Sequence, residues 1–288
     1  MKKHYSFAGV EVTVSIPEKW MYEDDRQLAP FRISHVDNPH TYCFEPVESL
    51  SAPSGNMEIL LPGMRVYRED NRYVRYIGTV DSDWEKAYIR VEYGEKESHV
   101  QVKVSNNITY IGVKTVLNAM GVEHLVAEAG GFVFHCSYIV WNGMAILFTA
   151  PSGTGKSTQA ELWKKYRNAE IINGDRAAVC VKEGKLTAEG IPFSGSSSYC
   201  SNRSVPLSAI VYLSQASETT IQILRGAEAF FKLWEGISVN SWVKEDVEHV
   251  SNVVQKVAEE IPVYHLSCTP DETAVTVLEE EFRKRGLV

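Results

Sequence analysis

The strongest constraint on what this chain can fold into is the run from Met144 to Tyr166. Met144-Ala145-Ile146-Leu147-Phe148-Thr149 is an apolar segment of strand length, and Ala150-Pro151-Ser152-Gly153-Thr154-Gly155-Lys156-Ser157-Thr158 is a loop of small residues. Helix formers follow from Gln159 to Tyr166, with Ala160, Leu162, Trp163 and Tyr166 spaced to bury one face. A strand, a glycine loop, a Lys-Ser pair and a helix, in that order, surround an anion with successive backbone N–H groups and the positive end of a helix. Gly153 and Gly155 permit left-handed backbone and keep side chains out of the way. Lys156 is placed to reach β- and γ-phosphates, and the Ser157 hydroxyl suits a Mg²⁺ ion. Ser152, Gly153, Thr154, Gly155, Lys156, Ser157 and Thr158 are therefore the expected phosphate-binding set. Ala150 stands where the usual pattern opens with glycine, which a residue keeping negative φ tolerates. The loop specifies a phosphate ligand, not a reaction.

What precedes the loop decides the kind of sheet. Phe132 to Val140 reads as a strand, and Trp141-Asn142-Gly143 joins it to Met144–Thr149. Asn-Gly is a strong hairpin signal, so the strand entering the loop should run antiparallel to its predecessor. An ordinary doubly wound fold enters its phosphate loop from a parallel βα unit. The expectation is thus an α/β fold with a mixed sheet. Downstream, strands are expected over Ala169–Asp175, Arg176–Val181, Pro206–Leu213 and Pro262–Leu266. Helices are expected over Ala227–Trp234, Val243–Ala258 and after Thr269-Pro270-Asp271-Glu272, with proline at or near the first helical position.

The first hundred residues read differently. Val10–Ile16 and Ser98–Val104 alternate with period two, and Arg72–Ile77 and Ala87–Val91 look like further strands with polar faces. Glu45 to Gly63 reads as a loop. The turn Ser105-Asn106-Asn107 marks the expected boundary, giving a β-rich domain over 1–107 and a nucleotide-binding domain over 108–288. Ile111–Met120 is an expected helix, stopped by Gly121.

The chain has 288 residues, a net charge of −8 and 44% apolar residues, which fits a globular protein and argues against nonspecific nucleic-acid binding. No apolar run approaches a membrane span, and the N-terminal residues lack the apolar stretch of a secretion signal. Five scattered cysteines without a C-x-x-C pair suggest reduced thiols, and so a cytoplasmic location.

Asp175 ends an apolar strand shortly after the loop. There it either ligates Mg²⁺ or accepts a proton from an attacking hydroxyl, or it is simply a solvated acid at a strand end. His135 is either a structural strand residue or, if the hairpin register permits, a neighbour of the loop. Arg203 and Arg176 are candidate cations for phosphate charge.

His135-Cys136-Ser137, the hairpin, the loop at 150–158, Ile172-Asn173-Gly174-Asp175-Arg176 and Gly190-Ile191-Pro192-Phe193-Ser194-Gly195 together resemble the HPr serine kinase family. The likeness is greatest to its small, diverged members, which resemble peptide-modifying serine kinases, and it covers about residues 110 to 288. It implies a phosphoenolpyruvate-carboxykinase-like P-loop fold that uses ATP and Mg²⁺ to phosphorylate a serine hydroxyl. Lys156 matches the family's phosphate-binding lysine, Ser157 its Mg²⁺-ligating hydroxyl, Asp175 the second of two adjacent aspartates, and His135 the histidine ahead of the loop. Two departures stand out: Gly174 replaces the first aspartate, and no glutamate-arginine-glycine signature is recognisable around Thr187–Gly190. The expected function is transfer of a γ-phosphoryl group to a hydroxyl on a peptide, protein or small molecule. The alternatives are a nucleotide-binding sensor or partner subunit without transfer chemistry, and, ranked last, a carboxykinase acting on oxaloacetate. Kinases of this family are often oligomeric, and the sequence leaves a homo-oligomer open.

Overall fold

The computed structural model describes residues 1–18, 20, 22–79, 83–104, 111–195 and 197–288. The expected domain boundary at 107/108 lies outside them. The chain divides into two compact units, one of residues 1–6 and 10–121, the other of 7–9 and 122–288.

The first unit is one nine-stranded sheet. Its strands are β1 (Lys2–Phe7), β2 (Val10–Ser15), β3 (Arg32–Ile33), β4 (His40–Val47), β5 (Asn56–Leu61), β6 (Met64–Glu69), β7 (Arg72–Ile77), β8 (Ile89–Glu92) and β9 (Glu97–Lys103). They lie in the order β3-β1-β2-β4-β9-β8-β7-β6-β5. β5 through β9 form an antiparallel meander, while β4 pairs parallel with both β2 and β9. Helix α1 (Val113–Met120) belongs to this unit. Its last carbonyls are satisfied by sheet side chains: Arg75 donates to Asn118 O at 3.0 Å, Tyr93 to Ala119 O at 2.9 Å, and Tyr42 to Met120 O. Gly121 ends the helix in the left-handed conformation, as expected from the sequence.

The loop expected over Glu45–Gly63 is wrong in two places. β4 continues to Val47, and β5 occupies Asn56–Leu61. Pro46 is tolerated because β4 pairs with β2 only over His40–Cys43, leaving one side of the strand open at the proline. β5 is an edge strand held by a single ladder, so its Met57, Ile59, Leu60 and Leu61 carry no period-two pattern to read.

The second unit contains α2 (Val122–Glu128), β10 (Gly131–Trp141), β11 (Met144–Thr149), α3 (Lys156–Arg167), β12 (Glu170–Asn173), β13 (Arg176–Lys182) and β14 (Lys185–Gly190). It continues with β15 (Ser204–Gln215), β16 (Thr220–Leu224), α4 (Gly226–Trp234), β17 (Ile237–Ser238), α5 (Lys244–Glu260), β18 (Val263–Cys268) and α6 (Glu272–Lys284). The Asn142-Gly143 hairpin joins β10 and β11 antiparallel, and β11 then pairs parallel with β15. The sheet is mixed, as the hairpin signal requires. The long strand β10 serves two neighbourhoods: residues 131–135 pair with β13, and 136–141 with β11. At the start of α6, Asp271 is the cap, its carboxylate accepting from Thr273 N at 2.8 Å, so Pro270 stands just outside the helix.

Alternation along β10 and β11 separates two cores. Phe132, Phe134, Tyr138, Val140, Ala145 and Leu147 join the cluster that includes α4 and α5 residues. Ile139, Trp141, Ile146 and Phe148 join the cluster around Trp163 of α3 and Phe282 of α6. Both faces are buried, which is why these strands read as continuous apolar runs. His135 and Ser137 share the odd-numbered face of β10 with Ile139 and Trp141, which directs them to the α3 side.

Candidate functional site

The glycine loop leads from β11 into α3. Thr149 closes β11 by donating its hydroxyl to His135 O at 3.0 Å. Gly153 has φ +78° and Gly155 φ +121°, a region side-chain-bearing residues rarely adopt. Nothing lies within 4 Å of a Cβ built at Gly153, so the demand there is conformational. Lys156 is buried at the first position of α3, and its Nζ donates back to Ala150 O at 2.9 Å and Pro151 O at 3.3 Å. Burial pulls the Lys156 pKa below its ordinary value, with Cys136 and Asp175 acting in the opposite direction.

The second wall of the site is the turn between β12 and β13. Asn173 is wholly buried and organises it. Its Oδ1 accepts from the N–H groups of Asp175 (2.9 Å) and Arg176 (3.1 Å). Its Nδ2 donates to Ile191 O (3.2 Å) and Phe193 O (2.8 Å). One side chain thus ties the Asp175 turn to the loop after β14. Ser157 Oγ donates to Gly174 O at 3.3 Å, and Ser137 Oγ to the same carbonyl at 3.4 Å. The tertiary fold therefore brings the loop's hydroxyl and the turn carrying Asp175 together.

Asp175 is half-buried, with Oδ2 3.5 Å from Arg176 Nε. Arg176 in turn reaches Glu123 at 3.6 Å and stacks over Phe193 at 5.6 Å. The Asp175 carboxylate rests against Gly195, where a Cβ would come within 2.8 Å of its Cγ. His135 sits opposite Arg176 in the β10–β13 ladder. Burial holds its pKa below the ordinary value, reinforced by the Lys156 and Arg176 charges and opposed by Asp175. The register thus places His135 beside the loop, in the electrostatic reach of three site residues.

Two cavities flank the loop. One, about 420 Å³, is lined by Pro151, Ser152, Gly153, Thr154 and the end of β15 from Tyr212 to Gln215. Gln215 Nε2 donates to Thr154 O at 3.3 Å, an exposed bond between two of its lining residues. The other, about 270 Å³, lies on the Ser157 side and is lined by Asp175, α3 residues and Ser194, Ser197, Ser198 and Tyr199. Thr158 is exposed on α3. Arg203 lines neither cavity; it pairs with Glu170 at 2.9 Å where both are half exposed.

Several residues of this site escape sequence reasoning. Asn173 looks like an ordinary strand residue, and its role depends on carbonyls about 20 positions away. Ser194 and Ser197 sit in a run without periodicity. Glu161 carried a readable signal, since it follows Ser157 by four positions and shares its helix face. Among the described residues no group of three or more His, Cys, Asp or Glu could hold a metal ion alone. Asp175, Glu161 and Ser157 all line the smaller cavity, and two carboxylates with a hydroxyl are an oxygen set that suits Mg²⁺.

Residues 99–279 match the family model described as SynChlorMet cassette protein ScmC. The match spans well over half of the chain, which belongs to this family. No curated protein matches the sequence. Among solved structures, the Hpr(Ser) kinase/phosphatase from Coxiella burnetii aligns over 54% of this chain and 90% of its own, at 10% identity and a TM-score of 0.32. A likeness that weak carries no argument about fold or activity. Among the described residues, no helix is long and apolar enough to cross a membrane.

Proposed function

We propose that this chain is an ATP- and Mg²⁺-dependent phosphotransferase that moves a γ-phosphoryl group to a serine or other hydroxyl acceptor, borne by a peptide, a protein or a small molecule. The observation that carries the reading is the placement of a buried Lys156 ammonium, bonded to two loop carbonyls, at the head of α3, with Ser157 and Asp175 on the adjoining wall. The backbone N–H groups of 152–157 and Lys156 would hold the phosphates, and Ser157 and Asp175 would hold the cation. Mg²⁺, when bound, neutralises phosphate charge. The acceptor oxygen forms its bond to the γ-phosphorus as the bond to the β,γ-bridging oxygen breaks. Asp175 takes the acceptor's proton and ADP leaves. Asn173 keeps the Asp175 backbone in place, so little reorganisation is needed during the reaction.

The test is transfer from γ-labelled ATP with Mg²⁺ to free serine, serine peptides, an HPr-type protein and a cell lysate. Label should reach one acceptor and be lost in Asp175→Asn and Lys156→Ala. Undiminished transfer by Lys156→Ala overturns the reading. One observation favours a second reading, a nucleotide sensor without transfer chemistry: position 174 carries no carboxylate. Mg-ATP bound tightly but never consumed, with every acceptor unlabelled, would select that reading.

A further inference from the structure

The smaller cavity contains more than the transfer reading uses. A Cβ built at Gly174 would lie 2.3 Å from Ser197 Oγ and 2.7 Å from Ser197 Cβ, so the β12–β13 turn has no room for a side chain ahead of Asp175. That turn supplies one carboxylate only. Helix α3 brings another to the same cavity. Ser157 and Glu161 are four residues apart on α3, and both line the same 270 Å³ space as Asp175. Residues at that spacing stack on one helix face, and helical side chains lean toward the N-terminus, which here is the glycine loop. The same spacing lets two helix residues ligate one ion in other metal sites. Glu161 is exposed and makes no salt bridge among the described residues; Lys164, which feels its charge, donates to the Tyr199 hydroxyl at 2.9 Å. An independent sign of a ligand is Ser194: its Oγ is fully buried, lines this cavity and has no hydrogen-bond partner among the described residues. An orphaned buried hydroxyl is costly unless something polar meets it.

We propose that Glu161 is the second carboxylate of a divalent-cation site in this cavity, alongside Asp175 and the Ser157 hydroxyl, and that it does from the helix what residue 174 cannot do from the turn. Ser194 meets a water or acceptor oxygen held by that ion. The inference rests on the proposed Mg²⁺-nucleotide reading of the loop, and it assigns that site a ligand from α3.

Mn²⁺ is the probe, titrated into the full chain by electron paramagnetic resonance with a non-hydrolysable ATP analogue present. Glu161→Gln should weaken Mn²⁺ binding about 10–100-fold, the loss typical of a displaced metal-site partner, with the melting temperature and the metal-free nucleotide affinity unchanged. Adding Gly174→Asp with Ser197→Gly, which returns an acid to the turn and clears its space, should restore much of the lost affinity. Mn²⁺ binding by Glu161→Gln within twofold of the parent protein overturns the proposal, as does a parent protein that binds no Mn²⁺. The two readings fail separately. Metal binding that depends on Glu161, without label transfer to any acceptor, sinks the transferase and leaves the cation site. Transfer and metal binding indifferent to Glu161 do the reverse.

Discussion

Two regions of this chain, the Asp24 and Arg90 networks of the first unit and the glycine loop of the second, treat buried charge in different ways. In the first, buried ions are enclosed by partners. Asp24 accepts from the Tyr5 hydroxyl at 2.5 Å and pairs with Lys3 at 3.4 Å and Arg32 at 2.9 Å. Arg90 reaches Glu69 at 3.0 Å, Glu92 at 3.3 Å and the Tyr76 hydroxyl at 3.1 Å. In the second, the polar groups around the glycine loop are only partly satisfied: Lys156 meets backbone carbonyls, and the Ser194 hydroxyl has no hydrogen-bond partner among the described residues. Closed networks hold a structure together, whereas groups left partly open are available to a ligand. The contrast agrees with the proposal that puts the phosphate site at the glycine loop.

The largest expected effect is on the open set. Lys156→Ala should lower nucleotide affinity or turnover by at least about 10²–10³-fold while leaving the thermal transition almost unmoved. A large loss of stability would instead make Lys156 a structural residue and erase the contrast. The closed set should respond in the opposite sense. Arg90→Met leaves a half-buried Glu69 with only the Ser54 N–H and should cost about 3 kcal/mol in denaturant unfolding, with nucleotide binding retained by the folded fraction. A loss below about 1 kcal/mol would show that the network is as loosely held as an exposed ion pair.

A smaller effect tests the crowding behind the serine loop. Gly174→Ala should destabilise by about 1–3 kcal/mol through overpacking against Ser197, and Ser197→Gly in the same chain should recover most of it. Additive losses in the double variant would mean that Ser197 is not what excludes a side chain there.

The smallest effect is one of pH. The folded-state pKa of His135 lies below its ordinary value of 6.5, so folding resists its protonation. Its contribution is intact above pH 6.5 and declines as pH falls below that value toward the folded pKa. In the first unit, burial works to raise the Asp24 pKa, but Tyr5, Arg32 and Lys3 hold it below its ordinary value of 3.8. Glu92 is likewise held below 4.5 by Arg72 and Arg90 against the opposing effect of burial. Their contribution is present above those ordinary values and is lost only on further acidification. Hydrogen exchange at pH 7.5 and 5.5 should therefore loosen β10 before β8, and His135→Gln should reduce the difference. Equal loosening of both strands would break the comparison.

Much of this was legible in the chain. The Asn142-Gly143 hairpin foretold the antiparallel entry into the loop, because a two-residue turn with positive φ at both positions permits little else. The loop residues and α3 followed from glycine placement and helical spacing, both local properties. β5 was not legible, since an edge strand needs no alternation. The placement of Asp175 was not legible either, because Asn173 secures its turn through carbonyls of Ile191 and Phe193.

By itself, the sequence determined the strand–loop–helix unit and the mixed sheet it enters, since short-range stereochemistry decides each of these. Only the tertiary structure decided that Gly174 has no space beside it, that Glu161 and Asp175 line one cavity, and that the buried Ser194 hydroxyl has no hydrogen-bond partner among the described residues. Those are facts of close packing between segments distant in the chain, and pairwise proximity of that kind leaves no periodic trace in the order of residues.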